Sequence, residues 1–225
     1  MKKILLTLTA ILFAVVSANA QFSNTSTYKS KSSSLSDLTF RGEINVGMAF
    51  GNTKYDDHKL DGTMVAPVFT GTYGVKLNDY LFIGAGIGIK YMTQNWKESY
   101  GDYDYAEEYK YTISSLMLPL YAELKVFLPV NETVSPFLMA DFGYSVRLAG
   151  EFKSDYRYDD YYYGYIYTDT HKSDTKGGLC YKFGAGVAIN SFTLALGYDC
   201  QKFGVNGVNK DFNTSSFFFS VGYAF

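Results

Sequence analysis

The sequence lacks an apolar run long enough to cross a bilayer as a helix. Its longest such run, residues 4–16, has 13 residues, whereas a spanning helix needs about 20. It also lacks a cysteine just after the N-terminal leader, since Cys180 and Cys200 lie far along the chain, so no lipid anchor is expected. If the protein sits in a membrane, it must do so as a β-barrel.

The chain has no excess of basic residues either. The leader holds two of the 20 lysines and arginines, so 18 remain against 22 acidic residues and the net charge without the leader is near −4. Nucleic-acid binding depends on clustered basic side chains that release phosphate counterions. The composition therefore argues against a nucleic-acid partner.

Residues 1–20 have the three parts of a secretory signal peptide. Lys2 and Lys3 precede the apolar run, and Ala18 and Ala20 form a cleavage pattern before Gln21. Residues 21–37 hold seven serines and few apolar groups, which predicts a flexible periplasmic tail. The folded domain is expected over residues 38–225.

The remaining composition favours strands. There are 22 tyrosines, 18 phenylalanines and 21 glycines. Aromatic rings suit a pleated surface, whereas many glycines would weaken helices. Segments that alternate with period two predict eight strands: residues 38–50, 64–77, 80–92, 111–128, 137–149, 179–189, 192–203 and 215–225.

The connections between these segments alternate in length. Those at 78–79, 129–135 and 190–191 are short, and those at 51–63, 93–110, 150–178 and 204–214 are long. Short periplasmic turns and long outer loops are typical of outer-membrane barrels. The predicted fold is all-β: an eight-stranded antiparallel up-and-down transmembrane barrel with long extracellular loops and both termini in the periplasm.

Each predicted strand has one apolar face and one small or charged face. A lipocalin-like barrel with an apolar interior would alternate in the same way. Gly84, Gly86 and Gly88 favour the membrane orientation, because the narrow interior of an eight-stranded barrel has room for little more than side chains. On a solvent-facing strand these glycines would only weaken the strand.

In these features residues 38–225 resemble the small outer-membrane barrels represented by the OmpA transmembrane domain and OmpX. The last strand, residues 217–225, alternates apolar residues and contains Tyr223 and a final Phe225. It resembles the C-terminal signal that the assembly machinery of this family recognises. The resemblance implies an outer-membrane location, with membrane lipid and that machinery as partners.

With the apolar face toward lipid, ten charged residues face the lumen: Arg41, Glu43, Lys76, Glu123, Lys125 and Asp141 toward the periplasm, and Lys90, Arg147, Lys182 and Asp199 nearer the outside. Charges in a confined, low-dielectric space are costly unless they are paired. We therefore expect an ion-pair plug. The alternative is a narrow, gated diffusion channel in which the pairs exchange partners.

Three further residues test the strand assignment. Pro119 cannot donate to a ladder, so a bulge is expected there. A two-residue turn at 190–191 places Cys180 opposite Gln201 and Cys200 opposite Tyr181. The two thiols then point to opposite faces, so no disulfide is expected.

The sequence offers little for catalysis. Its only histidines, His58 and His171, lie in predicted outer loops, and His171 with Ser173 only weakly resembles the pairing of lipid A modifying enzymes. General-base chemistry needs a held geometry that a polar loop does not supply. We predict no catalytic residue, no metal and no cofactor, and a lipid A modifying enzyme is the less favoured alternative.

The long connections are rich in tyrosine, a residue that recognition loops favour. The candidate recognition residues are Trp96, Tyr103, Tyr105, Tyr156, Tyr158, Tyr161, Tyr162, Tyr163, Tyr165 and Tyr167. The alternative is that the strands continue as hairpins and carry an interfacial aromatic girdle. The leading hypothesis is a monomeric, non-enzymatic barrel that supports envelope integrity and binds an extracellular protein or glycan.

Overall fold

A computed structural model describes residues 38–56, 58–77, 79–102, 105–128, 130 and 133–225. The predicted signal peptide and serine-rich tail lie outside this part of the chain. The strands are β1 (Leu38–Tyr55), β2 (His58–Lys59), β3 (Met64–Leu77), β4 (Leu81–Asp102), β5 (Tyr105–Phe127), β6 (Val134–Asp160), β7 (Tyr165–Asp174), β8 (Gly178–Ile189), β9 (Phe192–Phe203) and β10 (Phe212–Ala224).

Eight of these strands form a closed antiparallel barrel. The hydrogen-bonded order is β10-β9-β8-β6-β5-β4-β3-β1, and β10 pairs with β1 to close the ring. Within the described part of the chain, β2 pairs only with β1, and β7 pairs only with β6. The predicted barrel is confirmed. Within the described residues, no helix has the length and apolarity needed to cross a bilayer.

The seam between β1 and the C-terminus is closed by backbone pairing. Gly42 N–H donates to the Phe225 carbonyl at 2.8 Å, and Phe225 N–H donates to the Gly42 carbonyl at 2.9 Å. The Phe225 ring covers the position that a Gly42 Cβ would occupy, so a larger residue at 42 would displace the ring. The final residue is therefore part of the barrel wall.

Side chains alternate between the lumen and the outer wall. Ile83, Ile87 and Phe142 on the outer wall are 50%, 52% and 64% exposed, whereas Phe82 and Lys90, on the opposite face of β4 from the two isoleucines, are 1% and 3% exposed. An apolar exterior around a charged interior is the pattern of a barrel surrounded by lipid. It excludes the lipocalin-like arrangement.

The connections at 93–110 and 150–178 were predicted to be long loops, but most of their residues are β-structure. β4 and β5 pair out to Asp102 and Tyr105, and β6 and β7 pair out to Asp160 and Tyr165. β5 also pairs with β6 along this extension. The alternative of continuing hairpins is therefore what the structure has: a four-stranded extension of β4, β5, β6 and β7, here called the hairpin sheet.

The predicted bulge lies close to Pro119 but not at it. Pro119 pairs with Ser145 in regular register, and the shift falls between Leu116 and Met117, where Leu148 on β6 is the extra residue. On the other side of β5, the pairs with β4 stop at Leu120 and resume at Met117. Proline lacks the N–H needed for that ladder, so its effect is a local gap in pairing rather than a bulge.

The register between β8 and β9 agrees with the prediction for the cysteines. Cys180 lies opposite Gln201, and Tyr181 lies opposite Cys200. Both cysteines are free, as expected for side chains on opposite faces of adjacent strands.

Candidate functional site

A cluster of buried charges lies in the lumen near the end of the barrel that carries the short turns, here called the turn end. Lys125 Nζ lies 2.8 Å from Glu43 Oε1 and 2.9 Å from Glu123 Oε1, and all three side chains are nearly inaccessible. Arg41 Nη2 lies 3.7 Å from Glu43 Oε2. Thr193 donates a further hydrogen bond to Glu43 at 3.2 Å. Lys125 thus bridges two carboxylates that would otherwise repel each other, and Arg41 supplies the second positive charge that balances them.

Two further ion pairs lie in the lumen farther from the turn end. Lys182 Nζ is 2.9 Å from Asp141 Oδ2, and Lys90 Nζ is 2.8 Å from Asp199 Oδ2. Together with the lower cluster they give four bases and four acids. The interior charge is therefore balanced, as buried ions require.

Two of the ten predicted lumen charges lie apart from this network. Lys76 Nζ is 3.3 Å from the exposed Asp79 in the first turn. Arg147 Nη2 is 2.7 Å from Asp174 at the end of β7. Both find partners at the ends of the barrel rather than across its lumen.

Aromatic rings fill the space between the ion pairs. The Tyr121 ring occupies the space left by the absent side chain of Gly86, and its hydroxyl lies 2.9 Å from Thr72 Oγ1. The Lys125 ammonium lies 5.3 Å from the centre of the Phe137 ring, within cation–π range. Beside Lys90 and Lys182 there is a cavity of only about 40 Å³, which has room for a water molecule or two.

The opposite end of the lumen, here called the hairpin end, is covered by packed rings. Trp96 stacks on Tyr111 with centroids 4.9 Å apart and lies 6.2 Å from Phe152. Phe212 continues the cluster, with Phe152 at 6.1 Å and Phe203 at 5.3 Å. We call these five residues the aromatic lid. Sequence reasoning missed it, although continuing the strand alternation past Met92 would have turned Trp96 inward.

The predicted recognition residues occupy different places. Trp96 belongs to the aromatic lid, Tyr161, Tyr162 and Tyr163 lie in the turn of the β6–β7 hairpin, and Tyr103 lies outside the described residues. Tyr162 and Tyr163 are 78% and 79% exposed. The other five share one face of the hairpin sheet: Tyr105, Tyr156, Tyr158, Tyr165 and Tyr167.

This face, here called the tyrosine face, continues the surface of the lid. Tyr109 on β5 contacts Tyr156 on β6 and Tyr100 on β4, with ring centroids 4.8 Å and 6.2 Å away. The hydroxyls of Tyr109 and Tyr156 both donate to Glu107 at 3.5 Å. Sequence reasoning missed Tyr100, Tyr109 and Tyr111, which alternation along β4 and β5 places on the same face.

The barrel is a closed ring of eight strands with an apolar outer wall and a filled, charge-balanced lumen. These are the features of a small membrane-spanning β-barrel. The family model for the outer membrane protein beta-barrel domain matches residues 8–225. The chain belongs to this family. It is therefore an outer-membrane barrel, and membrane lipid surrounds its wall.

Solved structures of other outer-membrane barrels are similar to this chain at low identity. Ail of Yersinia pestis, solved with the heparin analogue sucrose octasulfate, is 17% identical, with 83% of this chain and 99% of that chain covered and a TM-score of 0.39. Neisserial surface protein A is 15% identical, with coverages of 83% and 97% and a TM-score of 0.38. The N-terminal barrel of Pseudomonas aeruginosa OprF is 14% identical, with coverages of 82% and 97% and a TM-score of 0.32. A comparison with curated proteins found no match.

The other face of the hairpin sheet of this outer-membrane barrel carries paired charges, and we call it the paired face. Lys97 Nζ lies 2.9 Å from Glu108 Oε1, and Lys153 Nζ lies 2.7 Å from Asp155 Oδ2. Thr170 on β7 donates to Asp155 at 2.7 Å. The hydrogen bond from Lys153, followed by that from Thr170, holds the pKa of Asp155 below its ordinary value.

His171 lies on β7 opposite Ser154. Its side chain is 88% exposed, and Nε2 is 4.0 Å from Asp169 Oδ2. Of the contacts that the structure describes, this long one is the only one that holds the imidazole, and general-base chemistry requires a fixed partner. Among the described residues, no three histidine, cysteine or acidic side chains are grouped so that they could hold a metal ion.

Proposed function

We propose that this outer-membrane barrel is a non-catalytic, monomeric scaffold that supports the envelope and presents the hairpin sheet for recognition at the cell surface. The observation that carries the proposal is the continuity of β4, β5 and β6 from the barrel wall into that sheet. Because β4, β5, β6 and β7 are paired continuously within the hairpin sheet, the exposed tyrosines are held on a rigid support. A preorganised surface loses little conformational entropy on binding.

The filled lumen supports display rather than transport. Ion pairs occupy its middle and turn end, and the aromatic lid covers its hairpin end. We expect the purified protein to give no steady porin-sized conductance in planar bilayers. Stable open channels of that size would contradict the proposal in favour of a diffusion channel.

The proposal places the hairpin sheet outside the cell and both termini in the periplasm, with Tyr223 and Phe225 read by the assembly machinery. Orientation can be tested with single cysteines in a chain that carries Cys180→Ser and Cys200→Ser. A membrane-impermeant maleimide applied to intact cells should label Tyr163→Cys in the β6–β7 turn. Ser191→Cys in a short turn should react only after permeabilisation, and the reverse pattern would overturn the orientation.

Recognition is tested by excising the outer part of the β6–β7 hairpin. Ser154 and His171 are directly paired, so Asn-Gly can replace residues 155–170 as a two-residue hairpin turn. The shortened barrel should retain heat-modifiable migration on gels, because the excised residues lie beyond the lid.

Cells producing the full or the shortened chain are then compared for adherence to wells coated with individual purified extracellular-matrix proteins or with neutral glycans. The proposal expects that on at least one coating the cells producing the full chain adhere and the cells producing the shortened chain do not. Equal adherence on every coating would overturn a recognition role for the hairpin sheet.

A further inference from the structure

The two faces of the hairpin sheet differ in how their carboxylates are neutralised. On the paired face, Glu108, Asp155 and Asp159 each lie within salt-bridge distance of a lysine or arginine. On the tyrosine face, Glu98 and Glu107 form hydrogen bonds only with tyrosine hydroxyls, at 3.4–3.5 Å, among the contacts of the described residues. Neutral phenols leave the negative charge of those carboxylates in place.

The strand register shows that this asymmetry extends over all four strands. Among the side chains that the structure describes, the acids of the tyrosine face are Glu98, Glu107, Asp160 and Asp169, and the face carries no lysine or arginine. Its one basic side chain is His171, beside Asp169. The face is therefore negative at neutral pH, although the bases of the same sheet lie only one residue away along each strand.

The rings between these acids are arranged to receive a cation. Tyr109 and Tyr156 lie 4.8 Å apart with Glu107 bonded to both, and Tyr105 and Tyr158 stack at 6.1 Å. Tyr100, Tyr165 and Tyr167 are 59%, 55% and 44% exposed. A guanidinium or ammonium group is attracted by ring faces and by carboxylates at the same time.

From this charge complementarity we infer that the tyrosine face binds a polypeptide segment rich in arginine or lysine. The basic side chains of the segment would lie between the tyrosine rings and pair with Glu107 and Glu98. The segment itself would run across the sheet, over the alternate residues of each strand that point to this face. The inference rests on the proposed recognition function and narrows its ligand to cationic protein. An anionic glycan would meet uncompensated negative charge at this surface.

The test uses the full mature chain in phosphatidylcholine nanodiscs, which carry no net lipid charge, with empty nanodiscs as background. The probe is a nine-residue peptide of alternating arginine and serine, and its glutamate–serine counterpart is the reference. Calorimetric titration should detect binding of the arginine peptide and none of the glutamate peptide or of a sulfated oligosaccharide.

Two variants with the same change in net charge provide the matched comparison. Glu107→Gln on the tyrosine face should weaken binding of the arginine peptide about tenfold, the value of one hydrogen bond to a charged group. Glu108→Gln on the paired face should change it less than about twofold, because that carboxylate is already paired with Lys97. Equal losses in the two variants would reduce the effect to overall charge and overturn the inference.

Ring variants separate the aromatic contribution. Tyr109→Leu should weaken binding about threefold to fivefold, whereas Tyr109→Phe should retain most of it, since the ring face remains. Each variant is first checked for heat-modifiable migration.

If the arginine peptide fails to bind while excision of residues 155–170 still abolishes adherence, the recognition function stands and the cationic ligand is wrong. Binding of the sulfated oligosaccharide in its place would overturn the inference in the same way.

Discussion

The ring of Tyr121 on β5 occupies the space above Gly86 on β4, where a Cβ would overlap Cζ and the hydroxyl oxygen. Tyr121 is 8% exposed, and its hydroxyl is 2.9 Å from Thr72. The inward glycine of one strand thus makes room for the large side chain of the next. This complementarity fills the middle of the lumen without widening the barrel.

Gly86→Ala should lower the free energy of unfolding by about 1–3 kcal/mol, because the added methyl overpacks the lumen against Tyr121. Gly71→Ala is the matched control, since a Cβ there has no neighbour within 4 Å. Urea unfolding in detergent, followed by gel mobility, measures both variants. Equal losses would show that the ring has space to move.

Lys125→Met should destabilise the barrel by about 3–5 kcal/mol, because it leaves Glu43 and Glu123 buried without their shared cation. Adding Glu123→Gln should restore part of this loss by removing one of the two like charges. Lys110→Met, at an exposed position of β5, serves as the control and should change stability little. If Lys125→Met left the free energy of unfolding unchanged, hydration or protonation of the two carboxylates would be compensating for the lost cation.

Trp96→Ala should cost about 3–5 kcal/mol, since it removes the ring that stacks on Tyr111 and leaves a void in the aromatic lid. Tyr100→Ala, farther along β4 and largely exposed, should cost much less. The same urea titration compares the two. The importance of the lid is disproved if both variants unfold at the wild-type urea concentration.

Asp155 should titrate below its ordinary pKa of about 3.8, chiefly because Lys153 and then Thr170 hydrogen-bond to its charged form. A lowered folded pKa means that the ionised group stabilises the β6–β7 hairpin above the unfolded pKa. That contribution is lost as the pH falls through the lowered folded value. Carbon-detected NMR titration in micelles should show the shift, and Lys153→Met should move the pKa upward; an unchanged value in the variant would contradict this cause.

Local patterns in the sequence determined the barrel itself. The alternation of side chains, the short turns and the inward glycines gave the eight strands and the apolar outer wall, and the turn at 190–191 correctly placed Cys180 opposite Gln201. These features are local because strand period and turn length depend on neighbouring residues alone. The terminal Phe225 likewise forms part of the wall.

The partners across the lumen were decided by the tertiary structure alone. Lys90 pairs with Asp199 from a strand 109 residues away, and no pattern within either strand specifies that choice. The hairpin sheet could not be predicted from the sequence for a different reason. Both of its faces are polar, so the alternation of apolar and polar residues that marks a membrane strand is absent beyond the barrel. The pairing of β4, β5, β6 and β7 continues beyond the barrel and places the tyrosines of these strands on one face, because register fixes which side chains lie together.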